Sequence, residues 1–309
     1  MTMFRYVLLL MTIGFKRTAT NMALGRDKIS HDQITRLLND DFFSKTLLEK
    51  VTTPGNLRGG HLIIDDTTIE KSYGKDFQDA SYVYSSTKDK AVFGYQLVLL
   101  VWTDGKKRVV VDYRVYKKGG QTKIELALEM LSYARNRLAL KPEYVLFDSW
   151  YASKKILKRL QDYRWYFVTR LKKNRSLDGI QLKDFKKIPR WHEKGRLAGG
   201  LKVNVVKHDN KYFATNRLSS SRSEILKTYK IRQHIEEVNK QLKFLGLSDC
   251  HMRSIKAQTN HIICCITALA LIEKLSRGNN ISVYKQAKNL ILKKDHIPNT
   301  YFERFSRAS

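Results

Sequence analysis

The order of short apolar runs and amphipathic segments between residues 61 and 170 constrains the fold more than any other feature. Strand-like apolar runs cover residues 61–64, 92–102, 108–115, 144–147 and 166–170. Amphipathic helical patterns at 123–138 and 153–160 separate the last three runs, and residues 103–106 (Thr-Asp-Gly-Lys) have the composition of a hairpin turn. The sequence therefore predicts an α/β protein with the element order β-β-β-α-β-α-β, its first three strands forming an antiparallel meander.

Helical segments flank this region. Residues 18–51 have a polar helical pattern with a Ser-x-x-Gln capping box at Ser30, typical of either a small DNA-binding unit or an extension packed on the main domain. The segment 172–210 interrupts the alternation of predicted strands and helices. It has a loop-like stretch at 194–200, and strands are expected at 201–206 and 212–215. Beyond residue 221 we expect one helix over 223–244 and a long apolar helix over 260–275.

The charge of the chain predicts a polyanionic partner. Lys and Arg number 58 against 29 Asp and Glu, which gives a net charge of +29. Residues 151–196 concentrate this charge, with 15 Lys or Arg against four Asp or Glu. Nucleic acid is the first candidate for a surface of this kind.

The cysteines and the apolar segments exclude several other classes. Cys250, Cys264 and Cys265 are odd in number and lack zinc-ligand spacing, so we expect neither a disulfide framework nor a zinc site. Residues 6–15, after Arg5, imitate a secretory signal, and the alternative is that they begin a buried helix. Because no uninterrupted apolar run reaches 18 residues, no membrane span is expected.

Acidic residues follow two of the predicted strands. Asp65 and Asp66 come after the run 61–64, and Asp148 comes directly after the run 144–147. Carboxylates at the carboxyl ends of neighbouring strands converge and can share a metal ion, although either acid alone is typical of a loop cap. Successive strand residues face opposite ways, so only one of Asp65 and Asp66 is expected to face a metal.

A third group of residues lies in the predicted helix 223–244. Tyr229, Arg232, Glu236 and Lys243 are separated by 3, 4 and 7 residues, intervals that place all four side chains on one helix face. A solvated face of i, i+4 ion pairs would have the same pattern. By itself the spacing leaves both interpretations open.

Together these motifs resemble the DDE transposases of prokaryotic insertion sequences, in the branch with an Asp-Asp-Thr first motif and a Tyr-x2-Arg-x3-Glu-x6-Lys third motif. The second motif matches as Phe-Asp-Ser-Trp-Tyr at residues 147–151. Asp148 follows Asp66 by 82 residues, and Glu236 follows Asp148 by 88. The resemblance covers roughly residues 30–275.

The resemblance implies an α/β fold with a ribonuclease-H-like catalytic core, a β-containing insertion before the third acid, and helical N- and C-terminal parts. The predicted element order is also that of a ribonuclease-H-like fold. On this basis we expect a helical N-terminal region at 1–58, the first part of the core at 59–171, a basic insertion at 172–221, and the helical remainder at 222–309.

The resemblance also implies the chemistry of the site. Asp66, Asp148 and Glu236 would hold two Mg²⁺ ions, for which Mn²⁺ can substitute, with Asp65 as the alternative to Asp66. The side chains expected to contact DNA are Tyr229, Arg232, Lys243, Lys172, Lys173, Arg175 and Trp191.

The implied activity is metal-dependent cleavage at the terminal inverted repeats of an insertion sequence, followed by strand transfer into target DNA. The expected partners are double-stranded transposon ends and target, with a DNA-induced homodimer, no membrane, and a place in the bacterial cytoplasm at the nucleoid. Two alternatives remain: a transposase relic that only binds DNA, and a nuclease of the same fold without strand transfer.

Overall fold

The computed structural model describes residues 1–24, 29–41, 48, 57–85, 87–185 and 192–292. The helices are α1 Met3–Thr12, α2 Ala19–Ala23, α3 His31–Asn39, α4 Lys123–Asn136, α5 Lys154–Asp162, α6 Arg222–Lys230, α7 Gln233–Phe244, α8 Ile255–Gly278 and α9 Val283–Leu292. The strands are β1 His61–Glu70, β2 Ser81–Ser85, β3 Lys90–Thr103, β4 Arg108–Tyr116, β5 Tyr144–Phe147, β6 Phe167–Leu171, β7 Ser176–Leu177, β8 Ile180–Gln181, β9 His192–Leu197, β10 Leu201–His208 and β11 Lys211–Thr215.

The chain divides into two compact units. The sheet unit comprises Thr53–Thr67 and Gln96–Glu237, and the helical unit comprises Met1–Thr52, Thr68–Tyr95 and Val238–Ser309. In the sheet unit the neighbouring strands follow the order β3-β1-β5-β6-β11-β10-β9-β7-β8, and β4 pairs with β3. Strands β1, β5 and β6 are parallel, whereas β3 and β4 form an antiparallel hairpin. The architecture is therefore mixed α/β, as predicted.

The first strand is longer than the sequence pattern predicts. Parallel pairing with β5 runs from His61 to Ile64, but β1 continues to Glu70 beside β3. The expectation that Asp65 and Asp66 follow the strand is therefore wrong, because both lie within it. Two threonines and an isoleucine follow the acids, and such β-branched residues favour the extended backbone.

The core of the sheet unit is built on the predicted apolar runs. Leu62, Val145 and Phe147 are fully buried, and α4 and α5 contribute Met130 and Leu160 to the same cluster. Helix α4 begins where its capping box requires: the Thr122 hydroxyl accepts a hydrogen bond from the Glu125 N–H, and the Glu125 carboxylate accepts one from the Thr122 N–H. This cap fixes the position of the first helical residue, Lys123.

The segment 172–221, predicted as a basic insertion, adds strands to the sheet. Strands β9, β10 and β11 are antiparallel, and β11 pairs with β6 over Tyr212–Thr215. The strands predicted at 201–206 and 212–215 are confirmed. The loop expected at 194–200 is wrong in its first half, because β9 covers His192–Leu197 and only residues 198–200 form a turn.

The helix predicted over 223–244 is wrong as a single helix. It is interrupted at Ile231 and Arg232, between α6 and α7. Around the break the amides bond to carbonyls three residues earlier, as in Ile231 N–H to Thr228 O and Arg232 N–H to Tyr229 O. Such 3₁₀-type bonds tighten and reorient the backbone, so the motif residues do not share one continuous helix face.

The helical unit is organised around α8, which packs against α1, α3 and α9. Among the described residues, α8 alone is long and apolar enough to cross a bilayer, but 72% of its apolar window is buried, as in a core helix. The capping box at Ser30 is confirmed at the start of α3. Helix α1 buries Tyr6, Val7 and Leu10. Strand β2, which the sequence analysis missed, pairs with Lys90–Gly94 of β3 in this unit.

Candidate active site

The turn after β5 holds Asp148 and the residues that follow it. Asp148 Oδ1 accepts hydrogen bonds from the backbone N–H groups of Trp150 (2.9 Å) and Tyr151 (3.3 Å), and its carbonyl accepts one from the Thr169 hydroxyl (3.2 Å). An aspartate side chain that caps its own turn in this way fixes the local backbone. The second acid of the sequence motif is therefore held firmly, half-buried, at the end of a central strand.

Asp66 lies at the centre of a hydrogen-bonded group. Its Oδ1 accepts a hydrogen bond from the hydroxyl of the fully buried Tyr151 (2.9 Å), and Gln96 Nε2 donates to Oδ2. The Lys123 ammonium lies 3.3 Å from both carboxylate oxygens. Burial raises the pKa of Tyr151, and the neighbouring Asp66 raises it further, so this hydroxyl stays a proton donor.

Asp65 belongs to a second group, with the third motif. Arg232 Nη1 donates to Asp65 Oδ2 at 2.7 Å, and its Nη2 donates to Glu236 Oε1 at 2.6 Å. The Asp65 and Arg232 side chains are only 20% and 17% exposed, whereas Glu236 is 48% exposed. The planar guanidinium therefore connects the first and third acidic motifs.

The acids of the site interact electrostatically. Burial raises the pKa of Asp65 to about 6, and the charges of Asp66 and Asp148 add to this rise while Arg232 opposes it. The charges of Asp65, Glu236 and Asp148 in turn favour the protonated form of Arg232, outweighing its burial and raising its pKa. A half-buried concentration of negative charge of this kind is relieved by a cation.

The acidic side chains are of the type that binds a divalent cation, but the positions of those that the structure describes do not form a binding site for one. Carboxylate oxygens are the ligands that Mg²⁺ prefers. However, among the described residues no three His, Cys, Asp or Glu side chains form a group that could hold one metal ion. Arg232 and Lys123 currently neutralise the acids, so a cation at Asp65 or Glu236 requires the guanidinium to move.

The other two residues of the third motif, Tyr229 and Lys243, belong to different units. Tyr229 is half-buried in the sheet unit with its ring edge against Phe213, and burial raises its pKa to about 12. Lys243, at the end of α7, belongs to the helical unit. There it lines a cavity of about 650 Å³ together with Lys16 and Lys288.

The basic residues predicted to bind DNA in the 172–221 segment differ in exposure. Lys172 and Lys173 are exposed in the turn after β6, as a phosphate contact requires. Arg175 is half-buried, burial lowers its pKa, and its Nε has no hydrogen-bond partner among the described residues. Trp191 lies outside the described residues.

The sequence analysis missed two residues of the site. Gln96 comes from β3 and Lys123 from the start of α4, and both contact Asp66. No local motif marks either residue. The capping box at Thr122 was the one available signal, because it places Lys123 in the first turn of the crossover helix.

Comparisons with known proteins identify the family of the chain and a structure of similar fold. A family model described as the transposase DDE domain matches residues 57–271. The structure is similar to a cryo-EM structure of the piggyBac transposase synaptic complex with hairpin DNA, with a TM-score of 0.59 and 14% identity over 98% of this chain and 75% of that chain. A crystal structure of the Mos1 strand transfer complex aligns with a TM-score of only 0.22, at 15% identity over 54% of this chain and 57% of that one. The comparison with curated protein sequences gives no match. Since the family model spans more than half of its residues, the chain belongs to the family of transposase DDE domains.

Proposed function

We propose that this protein is a DNA transposase that cleaves DNA at the terminal inverted repeats of an insertion sequence and joins the freed 3′ ends to target DNA. The observation that carries the proposal is that Arg232 donates hydrogen bonds to both Asp65 and Glu236, acids of the first and third motifs, within a transposase DDE domain. This ion pair supports a shared site for acids from β1 and α7, to which we propose that Asp148, in the turn after β5, also belongs.

Asp66, Asp148 and Glu236 are the proposed ligands of Mg²⁺, with Mn²⁺ as a substitute. When bound, such ions activate a water or 3′-hydroxyl and stabilise the leaving oxygen. Alignment on the Asp-Thr-Thr triplet favours Asp66 in the first motif, whereas the ion pair through Arg232 favours Asp65. Both acids lie in β1 directly after the four residues that pair with β5.

Arg232 is proposed to exchange partners when DNA binds. Its Nη1 and Nη2 now each donate to a different carboxylate, whereas a single phosphate can accept both hydrogen bonds. Moving the guanidinium to a phosphate would free the oxygens of Asp65 and Glu236. Lys243 and the exposed Lys172 and Lys173 would add phosphate contacts that weaken with salt.

Assembly and location follow from the proposed reaction. Because two transposon ends must be cut and joined together, at least two copies are required, and we propose a homodimer formed on DNA. The proposed place of action is the bacterial nucleoid, where the net charge of +29 favours association with DNA.

The test is cleavage of a DNA fragment that carries the element's terminal repeats, with Mg²⁺ or Mn²⁺. Wild type should nick at the repeat boundary, and Asp148→Ala and Glu236→Ala should each lose activity by orders of magnitude. Asp162→Ala, which changes an exposed acid of α5, is the matched control and should cleave normally. Separate Asp65→Asn and Asp66→Asn variants identify the acid of the first motif.

Two outcomes would contradict the proposal. Binding of the fragment without cleavage by wild type would indicate a relic that only binds DNA. Nicking that ignores the repeat boundary would indicate a nuclease of the same fold.

A further inference from the structure

Lys123 places a positive charge on one acid of the candidate site. Its ammonium lies 3.3 Å from both carboxylate oxygens of Asp66, and the two side chains are only 14% and 16% exposed. Lys123 is also the first residue of α4, directly after the N-cap Thr122. A positive charge in the first turn of a helix is unfavourable, because the helix dipole is positive at that end. The position therefore costs stability, which the contact with Asp66 offsets.

The ammonium holds Asp66 loosely. Charge-assisted hydrogen bonds between a nitrogen and a carboxylate oxygen are about 2.7–2.9 Å long, and Arg232 reaches Asp65 at 2.7 Å. At 3.3 Å from each oxygen, Lys123 is farther from its partner than such a bond requires. Lysine also acts as a point charge on a flexible stem, without the planar fork of arginine. Of the two cations, Lys123 is therefore the one whose contact is more easily broken.

Asp66 keeps its orientation without the lysine. The Tyr151 hydroxyl donates to Oδ1 at 2.9 Å and the Gln96 amide donates to Oδ2, so one neutral donor holds each oxygen. The ammonium in turn has a second favourable contact, since it lies 4.1 Å from the centroid of the Trp150 ring. Departure of the ammonium from Asp66 would leave a carboxylate that is fixed in direction and able to bind another cation.

The same contact accounts for the mismatch between the acids and a metal ion. Carboxylates are ligands that Mg²⁺ prefers, yet within the part of the chain that the structure describes no three metal-ligating side chains are arranged to hold one. Lys123 contacts Asp66, and Arg232 bonds to Asp65 and Glu236. The chain's own cations thus neutralise three of the acids.

We propose that Lys123 is an internal counter-cation that keeps a divalent cation away from Asp66 until its ammonium withdraws. The contact is autoinhibitory: without DNA the chain binds metal weakly, because the metal must displace a charge that is already in place. This inference rests on the proposed function, since it takes Asp66 to be a metal ligand.

The test measures Mn²⁺ binding to the full chain without DNA, from the loss of the electron paramagnetic resonance signal of free Mn²⁺. Lys123→Gln should bind Mn²⁺ at least about tenfold more tightly than wild type, because a like charge close to the ion is removed. Lys123→Arg keeps the charge and should stay within about threefold of wild type. Adding Asp66→Asn to Lys123→Gln should remove the gain, which locates the metal at Asp66.

Lys158→Gln is the matched control. It removes the same charge from an exposed position of α5, and its Mn²⁺ affinity should stay within about twofold of wild type. Equal or weaker Mn²⁺ binding by Lys123→Gln than by wild type would overturn the proposal, as would the absence of binding by both.

A second measurement needs no substitution at the site. In wild type the largely buried Lys123 should react slowly with acetic anhydride, and saturating Mn²⁺ should increase its acetylation several-fold as the ammonium leaves Asp66. The exposed Lys158 should react equally with and without Mn²⁺. Peptide mass spectrometry measures both, and an unchanged rate at Lys123 would contradict the proposal.

The proposal and the proposed function fail separately. Tighter Mn²⁺ binding by Lys123→Gln, without boundary-specific cleavage by wild type, supports the counter-cation and contradicts the transposase. Boundary-specific cleavage by wild type, with equal Mn²⁺ affinity in Lys123→Gln, supports the transposase and overturns the counter-cation.

Discussion

Replacing Asp65 by Asn should stabilise the sheet unit at neutral pH, because the native residue keeps a charge that its surroundings disfavour. Burial raises the pKa of Asp65 from 3.8 to about 6 even with Arg232 beside it. A difference of about two pKa units corresponds to about 3 kcal/mol of folding free energy. Because the folded-state pKa is the higher one, this contribution is fully present below pH 3.8 and is lost as the pH rises through about 6.

Asn resembles the neutral form of the acid and does not titrate. The free energy of unfolding of Asp65→Asn should therefore equal that of wild type near pH 4 and exceed it by about 3 kcal/mol at pH 8. Urea titrations followed by circular dichroism at several pH values measure the difference. Asp162→Asn, at an exposed position, should differ from wild type by less than about 0.5 kcal/mol throughout. A difference between Asp65→Asn and wild type that does not change with pH would refute the reasoning.

Further predictions at four positions concern stability and use the same urea titrations. Lys123→Met should destabilise the chain by about 2 kcal/mol, because it removes the cation from a largely buried carboxylate, whereas Lys123→Arg should cost less. Gly94→Ala should cost about 3 kcal/mol, since its Cβ would collide with the backbone of a neighbouring strand. Gly105→Ala, with φ +94° but open space, should cost about 1 kcal/mol. Burial lowers the pKa of His261 to about 4, so its contribution is present above pH 6.5 and lost as the pH falls to about 4. The advantage of wild type over His261→Gln should accordingly shrink by about 3 kcal/mol over that range, and an unchanged advantage would contradict the assignment.

Local patterns predicted most of the strands and helices of the sheet unit. The run 144–147 is β5, and the amphipathic pattern from residue 123 is α4, because apolar periodicity and capping are properties of a few adjacent residues. Strand β2 was missed because its alternating tyrosines, Tyr82 and Tyr84, are exposed and give no apolar run.

The contacts that build the site could not be predicted in the same way. Lys123 and Gln96 reach Asp66 across 57 and 30 residues of sequence. The helix break at Ile231 depends on 3₁₀-type bonds, which the i, i+4 pattern of the segment conceals. The sequence identified the acidic motifs, but only the structure relates Asp65 to Glu236 through Arg232.

Strand transfer is the step that distinguishes a transposase from every alternative with the same acids. The direct measurement supplies wild type with a pre-cleaved transposon end that carries a free 3′-hydroxyl, a supercoiled plasmid and Mg²⁺. The account predicts covalent joining of the labelled end to the plasmid, lost in Asp148→Ala and Glu236→Ala and retained in Asp162→Ala. Nicking of the plasmid without joined product, or joining that survives the loss of Asp148 and Glu236, would contradict it.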